Sequence, residues 1–299
     1  MDGMRAGPVL LYVIGIAVFC AMDAFMKQLV QGNPAVMATF WRYASAILFT
    51  SLFWVQAGRP AITREMLPVH MLRGCILAVS ATLFFWSLSV LPLAQAVTIA
   101  FIAPLLIPPI AALLLKEQMQ PGSVLAGIAG FAGVLVAVGF DPDDWTAEQL
   151  RGVAAVLVSA LTYAVSVVLM RLRAARDGAA TLSLLGAIFP ALAIGPVMAL
   201  TVAPGDWLPS GADWFVVLAA GACGAIALQF IARAYARAEA QVLAPFEYTA
   251  LAWAALFGWL FFAEPVSLRT WAGAAVIGAA CLWQARRAQA VPTPSSPAA

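Results

Sequence analysis

Polar positions along this chain are clustered, not periodic: long apolar runs are separated by short knots of Gly, Pro and charged residues. Unbroken runs of this kind suit helices of ~20 residues that cross a bilayer, and not the ~10-residue alternating strands of a barrel. Breaks at the knots predict helices over 7–31, 34–57, 66–90, 93–115, 122–140, 147–172, 180–203, 211–236, 240–263 and 267–286. The expected fold class is all-α and integral to the membrane, with ten transmembrane helices. The first span reads as a retained helix and not a signal peptide, because it lacks a strongly basic start and a small-residue cleavage site and contains Asp23 and Lys27. From about Gln289 the tail, 289–299, has nothing apolar to bury and is expected to be disordered.

Composition agrees with lipid as the solvent. With 64% of 299 residues apolar, 10% charged and a mean hydropathy of +0.94, the chain has too little polar surface to cover a soluble globule. Charge placement then orients the helices, since the cytoplasmic ends of membrane segments collect Lys and Arg. With the N-terminus inside, Arg5, Arg59, Arg64, Arg73, Lys116, Arg171, Arg173, Arg176, Arg233, Arg237, Arg286 and Arg287 fall at or near the cytoplasmic side, 12 of the 16 basic residues. The outward connections are acidic, with Asp141, Asp143, Asp144 and Glu148 in one and Asp206 and Asp213 in another. Both termini are expected inside. A net charge of +2 argues against a nucleic-acid partner. Cys20, Cys75, Cys223 and Cys281 stand singly within predicted helices, so neither a disulfide framework nor a metal site is suggested.

Self-comparison divides the chain. Ala94-Gln95-Ala96-Val97, an apolar helix ending Leu114-Leu115-Lys116-Glu117, and then Gly127, Gly130 and Gly133 have a later counterpart. It runs Ala240-Gln241-Val242-Leu243, an apolar helix ending Phe261-Phe262-Ala263-Glu264, then Gly273 and Gly278. The spacing places one half at 1–143 and the other at 144–288. Each half holds five helices, so the second copy enters the membrane from the opposite side and the repeats are inverted.

These motifs, with the Arg42-Tyr43 pair early in the second helix and the Glu264-Pro265 step, resemble the ten-helix EamA group of the drug/metabolite transporter superfamily, nearly to residue 285. The resemblance implies two EamA-type repeats in the inner membrane of a bacterial cell. It implies secondary active transport of a small polar metabolite by alternating access, without a cofactor. The run Pro245-Phe246-Glu247-Tyr248-Thr249 is similar to the ninth-helix segment of members that take up S-adenosylmethionine or riboflavin, so the expected solute is one of these or is amino-acid-like; efflux of amino acids or drugs is the alternative.

Charges at membrane depth cost on the order of 2.5–3.5 kcal/mol even on the lenient insertion scale, so each needs a partner or a wet cavity. Asp23 and Lys27, spaced i,i+4, can pair on one face of the first helix, or contact solute. Arg42 lies ~12 Å beyond Pro34 at a depth similar to Asp23, which makes an Asp23–Arg42 network the other arrangement. Glu247, ~9 Å into the ninth helix, has no basic residue one turn away. It suits proton coupling or a cationic solute, unless Arg233 or Arg237 pairs with it. Trp86, Tyr163, Gln229 and Tyr248 complete the candidate solute site. The aromatic groups are equally suited to packing, whereas a mid-membrane amide such as Gln229 calls for hydrogen-bond partners. Pro104, Pro108 and Pro109 break the fourth helix as hinge or fixed bend. The glycines of the fifth and tenth helices allow close packing and make that pair a scaffold or a homodimer surface. His70 is the one histidine, and no Glu-x-x-His, paired Cys or phosphate loop is present, so an enzyme is not expected. No charge ring or selectivity loop suggests a channel.

Overall fold

The computed structural model describes residues 3–115, 121–138, 146–238 and 243–265 continuously, with scattered positions from 268 to 283. Lys116, Glu117, Ala240, Gln241, Gly278, Cys281, the acidic stretch 141–144 and the tail after 283 lie outside the described residues. What is described is helical, with no strand: α1 Gly3–Gly32, α2 Ala35–Gln56, α3 Leu67–Ser87, α4 Leu93–Ala100, α5 Ile102–Leu115, α6 Pro121–Val138, α7 Ala147–Thr201, α8 Asp213–Tyr235 and α9 Ala250–Phe262. Seven described stretches are long and apolar enough to cross a bilayer, and Phe246–Phe262 is a shorter apolar helix.

Four of the predicted spans take a form set by a Pro or a Gly. The span 93–115 is broken into α4 and α5 at Phe101, because Pro104 has no N–H to give the carbonyl of Ala100 and its ring crowds that carbonyl. The spans 147–172 and 180–203 join without a loop into α7, interrupted only at Gly178, whose φ of 72° suits a residue without Cβ. A capping box between Thr146 and Gln149 starts this element. Arg73 touches Met170 on the first limb of α7 and lies beside Gly186 on the second. A straight helix would hold those two residues ~24 Å apart, so the limbs fold back past one another at Gly178. The ninth span begins as a 3-10 turn, Ala244–Thr249, with Pro245 in its first turn, and becomes α-helical only at Ala250.

The distribution of side chains is inside-out relative to a water-soluble protein. Leu113, Leu192, Leu200, Phe215 and Trp259 are exposed, while Asp23, Lys27, Arg42, His70, Arg73, Asp177, Gln229 and Glu247 are buried. Lipid on the outside and charge directed inward produce this pattern. Close helix approach comes from small residues. Gly74 of α3 lies directly against Phe189 of α7, Gly221 of α8 against Ser45 of α2, and Gly15 of α1 against Ala227 and Ile231 of α8. Ser80 and Ser159 donate reciprocally to each other's carbonyl at 3.0 and 2.8 Å, fastening α3 to the first limb of α7.

Candidate functional site

A cavity of about 190 Å³ lies at the centre, lined by α1, α2, α3, both limbs of α7, α8, the α4–α5 junction and the turn into α9. α6 contributes none of the described lining. The charged residues at the lining are Asp23, Arg42, Arg73 and Glu247, two of each sign.

Around Asp23 the expected ion pairs are absent. Lys27 turns away from it and meets Glu264 at 2.6 Å, also donating to the Leu91 carbonyl at 3.0 Å. The i,i+4 spacing permitted the Asp23–Lys27 pair, but Glu264, brought in by the end of α9, offers Lys27 a better-placed carboxylate. Asp23 and Arg42 both face the cavity without an ion pair within 4.0 Å. Arg42 instead donates from Nε and Nη2 to Met22 Sδ at 3.2 and 2.8 Å and lies 4.3 Å from the Tyr43 ring centroid. A thioether is a weak acceptor, so this guanidinium retains most of its capacity for an anion. Asp23 Oδ1 is buried without a hydrogen-bond partner.

Around Glu247 the arrangement is different. Tyr12 donates to its Oε1 at 2.7 Å, Tyr163 approaches the same oxygen at 3.5 Å, and Tyr12 and Tyr235 share a hydroxyl contact of 3.0 Å. The Tyr12 and Tyr235 rings meet edge to face, 5.4 Å between centroids. Arg233 and Arg237 are exposed and do not pair with it. Both are exposed at the end of α8, whereas Tyr235 between them is buried. A buried carboxylate thus rests on phenol donors alone among the described residues.

Of the sequence candidates, Asp23, Arg42, Tyr163 and Glu247 line the cavity, and Trp86, Gln229 and Tyr248 do not. Tyr248 packs edge-on against Phe101, 5.3 Å between centroids, behind the wall. Gln229 is buried with Nε2 unpartnered. Sequence reading missed Tyr12, Tyr235 and Arg73. The tyrosines carried one available signal, a hydroxyl within an apolar helix where Phe would pack as well. Arg73 was counted among the basic helix ends, yet it is only 4% exposed and lines the cavity.

Two polar fastenings bracket the cavity. At one end Glu264 accepts from Lys27 and from the Leu93 N–H at 3.1 Å, tying α1, the start of α4 and the end of α9 together, with Lys27 5.4 Å from the Phe262 ring. At the other, His70 Nε2 and Arg173 Nε each lie 2.8 Å from Asp177 Oδ2, holding the start of α3 to the turn at Gly178. The length of α3, ~30 Å, separates them. No cluster of metal-ligating side chains occurs among the described residues.

Comparison with known proteins places this geometry in context. The model of the EamA-like transporter family matches residues 7–139 and 150–285. A riboflavin transporter of Brucella anthropi is 30% identical over 259 residues, covering 86% of this chain and 89% of that one. A pseudopaline exporter of Pseudomonas aeruginosa is 26% identical, covering 94% and 96%. An S-adenosylmethionine uptake transporter of Rickettsia felis is 24% identical, covering 91% and 90%. A solved crystal structure superposes with a TM-score of 0.77 at 20% identity, covering 96% of this chain and all of that one, which establishes the shared fold.

Proposed function

Because the chain belongs to the EamA-like transporter family, and so is a multi-pass membrane transporter of small metabolites and not an enzyme, we propose that it works by alternating access about the central cavity. The proposal includes ten transmembrane helices arranged as inverted five-helix repeats, 1–143 and 144–288. Paired contacts support this reading. Gly74 against Phe189 and Gly221 against Ser45 are one contact seen twice, with the roles of the halves exchanged: Gly221 lies 147 residues after Gly74 and Phe189 lies 144 after Ser45. The same two shifts carry Gly15–Ala227 into the Ser159–Ser80 contact. A two-fold relation within one chain generates two equivalent states, open to either side, when the halves rock about a shared site.

The single observation that carries the function is a cavity lined by both halves, holding two carboxylates and two guanidiniums in a lipid-facing scaffold. Asp23, Arg42, Tyr163 and Glu247 are proposed to contact solute, with Tyr248 and Gln229 supporting the wall and Trp86 at its margin. Glu247, without a cation, is proposed to couple proton movement. The protein is placed in the bacterial inner membrane with both termini cytoplasmic, and α6, which contributes none of the described lining, together with the tenth span, 267–286, as a scaffold or homodimer surface. The cavity is below the ~300–1,000 Å³ usual for ligand pockets, so a solute the size of riboflavin or S-adenosylmethionine requires it to widen. The exporter relative favours one second reading, outward movement of the same class of solute.

Purified protein in liposomes preloaded with unlabelled S-adenosylmethionine or riboflavin is expected to show saturable uptake and counterflow of the matching labelled compound. Flux linear in concentration would contradict a carrier.

A further inference from the structure

Arg73 has no role in the mechanism above, yet its setting is that of a recognition group. It is 4% exposed, lines the cavity, and pairs with no carboxylate among the described residues. Its Nε is buried without a partner, and Nη2 has only the Met170 thioether at 3.4 Å. Room for its head is provided by Gly186, where an added Cβ would stand 3.0 Å from Nη1. A buried guanidinium held beside a weak sulfur acceptor, with an unused N–H, keeps hydrogen-bonding capacity that an oxyanion in the cavity matches in charge and geometry. On the opposite sign, Asp23 Oδ1 is equally buried and equally unpartnered.

Resting on the carrier reading, we propose that Arg73 binds the carboxylate of a solute that also carries a cationic group. The charge balance of the cavity selects this class. Asp23 and Glu247 offset Arg42 and Arg73, so a zwitterion enters without leaving net buried charge, whereas a phosphate dianion adds two negative charges to a site already neutral. Among the solutes named for the relatives, S-adenosylmethionine carries an α-carboxylate with an ammonium and a sulfonium group, net +1 and a smaller imbalance than a phosphate dianion, and riboflavin carries neither carboxylate nor ammonium.

The test compares S-adenosylmethionine with decarboxylated S-adenosylmethionine, which keeps the ammonium and sulfonium but lacks the carboxylate, and with riboflavin. Affinities are measured on purified full-length protein by ligand-induced thermal shift and by competition in liposome uptake. Wild type is expected to prefer the carboxylate form by at least about tenfold. Arg73→Gln is expected to bind both forms alike. Gly186→Ala, which leaves the charge in place and crowds Nη1, is expected to lower the preference in part, and keeps the test open if Arg73→Gln does not fold. Equal binding of the two forms by wild type, an unchanged preference in both variants, or saturable riboflavin uptake indifferent to Arg73 would overturn the proposal while leaving the carrier intact. Absence of saturable uptake of all three compounds would remove the carrier reading and this proposal with it.

Discussion

Glu247 and Glu264 stand at opposite ends of the ninth span and are stabilised in opposite ways. Glu264 has a lysine at 2.6 Å and a backbone N–H at 3.1 Å, so its charge is compensated in place. Glu247 has phenol hydroxyls at 2.7 and 3.5 Å and no described cation. The first arrangement suits a permanent fastening, because neither partner can leave without exposing the other to a low-dielectric interior. The second suits a group that changes state: neutral donors support a carboxylate without binding it irrevocably, and they leave the site open to a proton or a cation. On the proposed reading the two ends of this span divide the work, Glu264 fastening helices together and Glu247 serving the cavity.

The contrast can be broken most forcefully at the fastening. Lys27→Met leaves Glu264 facing the interior without its cation and is expected to cost about 3–5 kcal/mol of stability, read as unfolding in detergent. Adding Glu264→Gln to that variant should restore most of the loss, and failure to do so would show that the pair is not what Lys27 contributes. A smaller effect is expected at the cage, where Tyr12→Phe removes a buried donor from Glu247 and should cost about 1–3 kcal/mol by the same measurement. Least affected is Tyr163→Phe, within about 0.5 kcal/mol, since 3.5 Å is at the limit of a hydrogen bond. Equal losses in the two tyrosine variants would contradict the unequal cage described here.

Much of the fold was legible because lipid forces helices to declare themselves as apolar runs. The break in 93–115 was legible from its prolines, although its position at Phe101 follows from which carbonyl Pro104 displaces. Glu247 was legible as an isolated charge in an apolar run. Its tyrosines were not, since Tyr12 and Tyr235 lie more than two hundred residues apart and meet only through the packing of α1 on α8. Lys27 had a nearer carboxylate in sequence than Glu264, and spacing along one helix cannot weigh a partner delivered by another. Arg73 was hidden by a different confusion: counting basic residues near helix ends records height in the membrane, not whether the side chain points to water, lipid or cavity.

The central claim, that the site lies between the halves with Glu247 as its titrating group, is tested most directly by Glu247→Gln in liposomes. Solute counterflow at equal pH and accumulation driven by an imposed pH gradient are measured on wild type and variant. The account predicts that counterflow survives and gradient-driven accumulation is lost, with membrane insertion unchanged. Accumulation that responds to the gradient as wild type does would remove Glu247 from the mechanism.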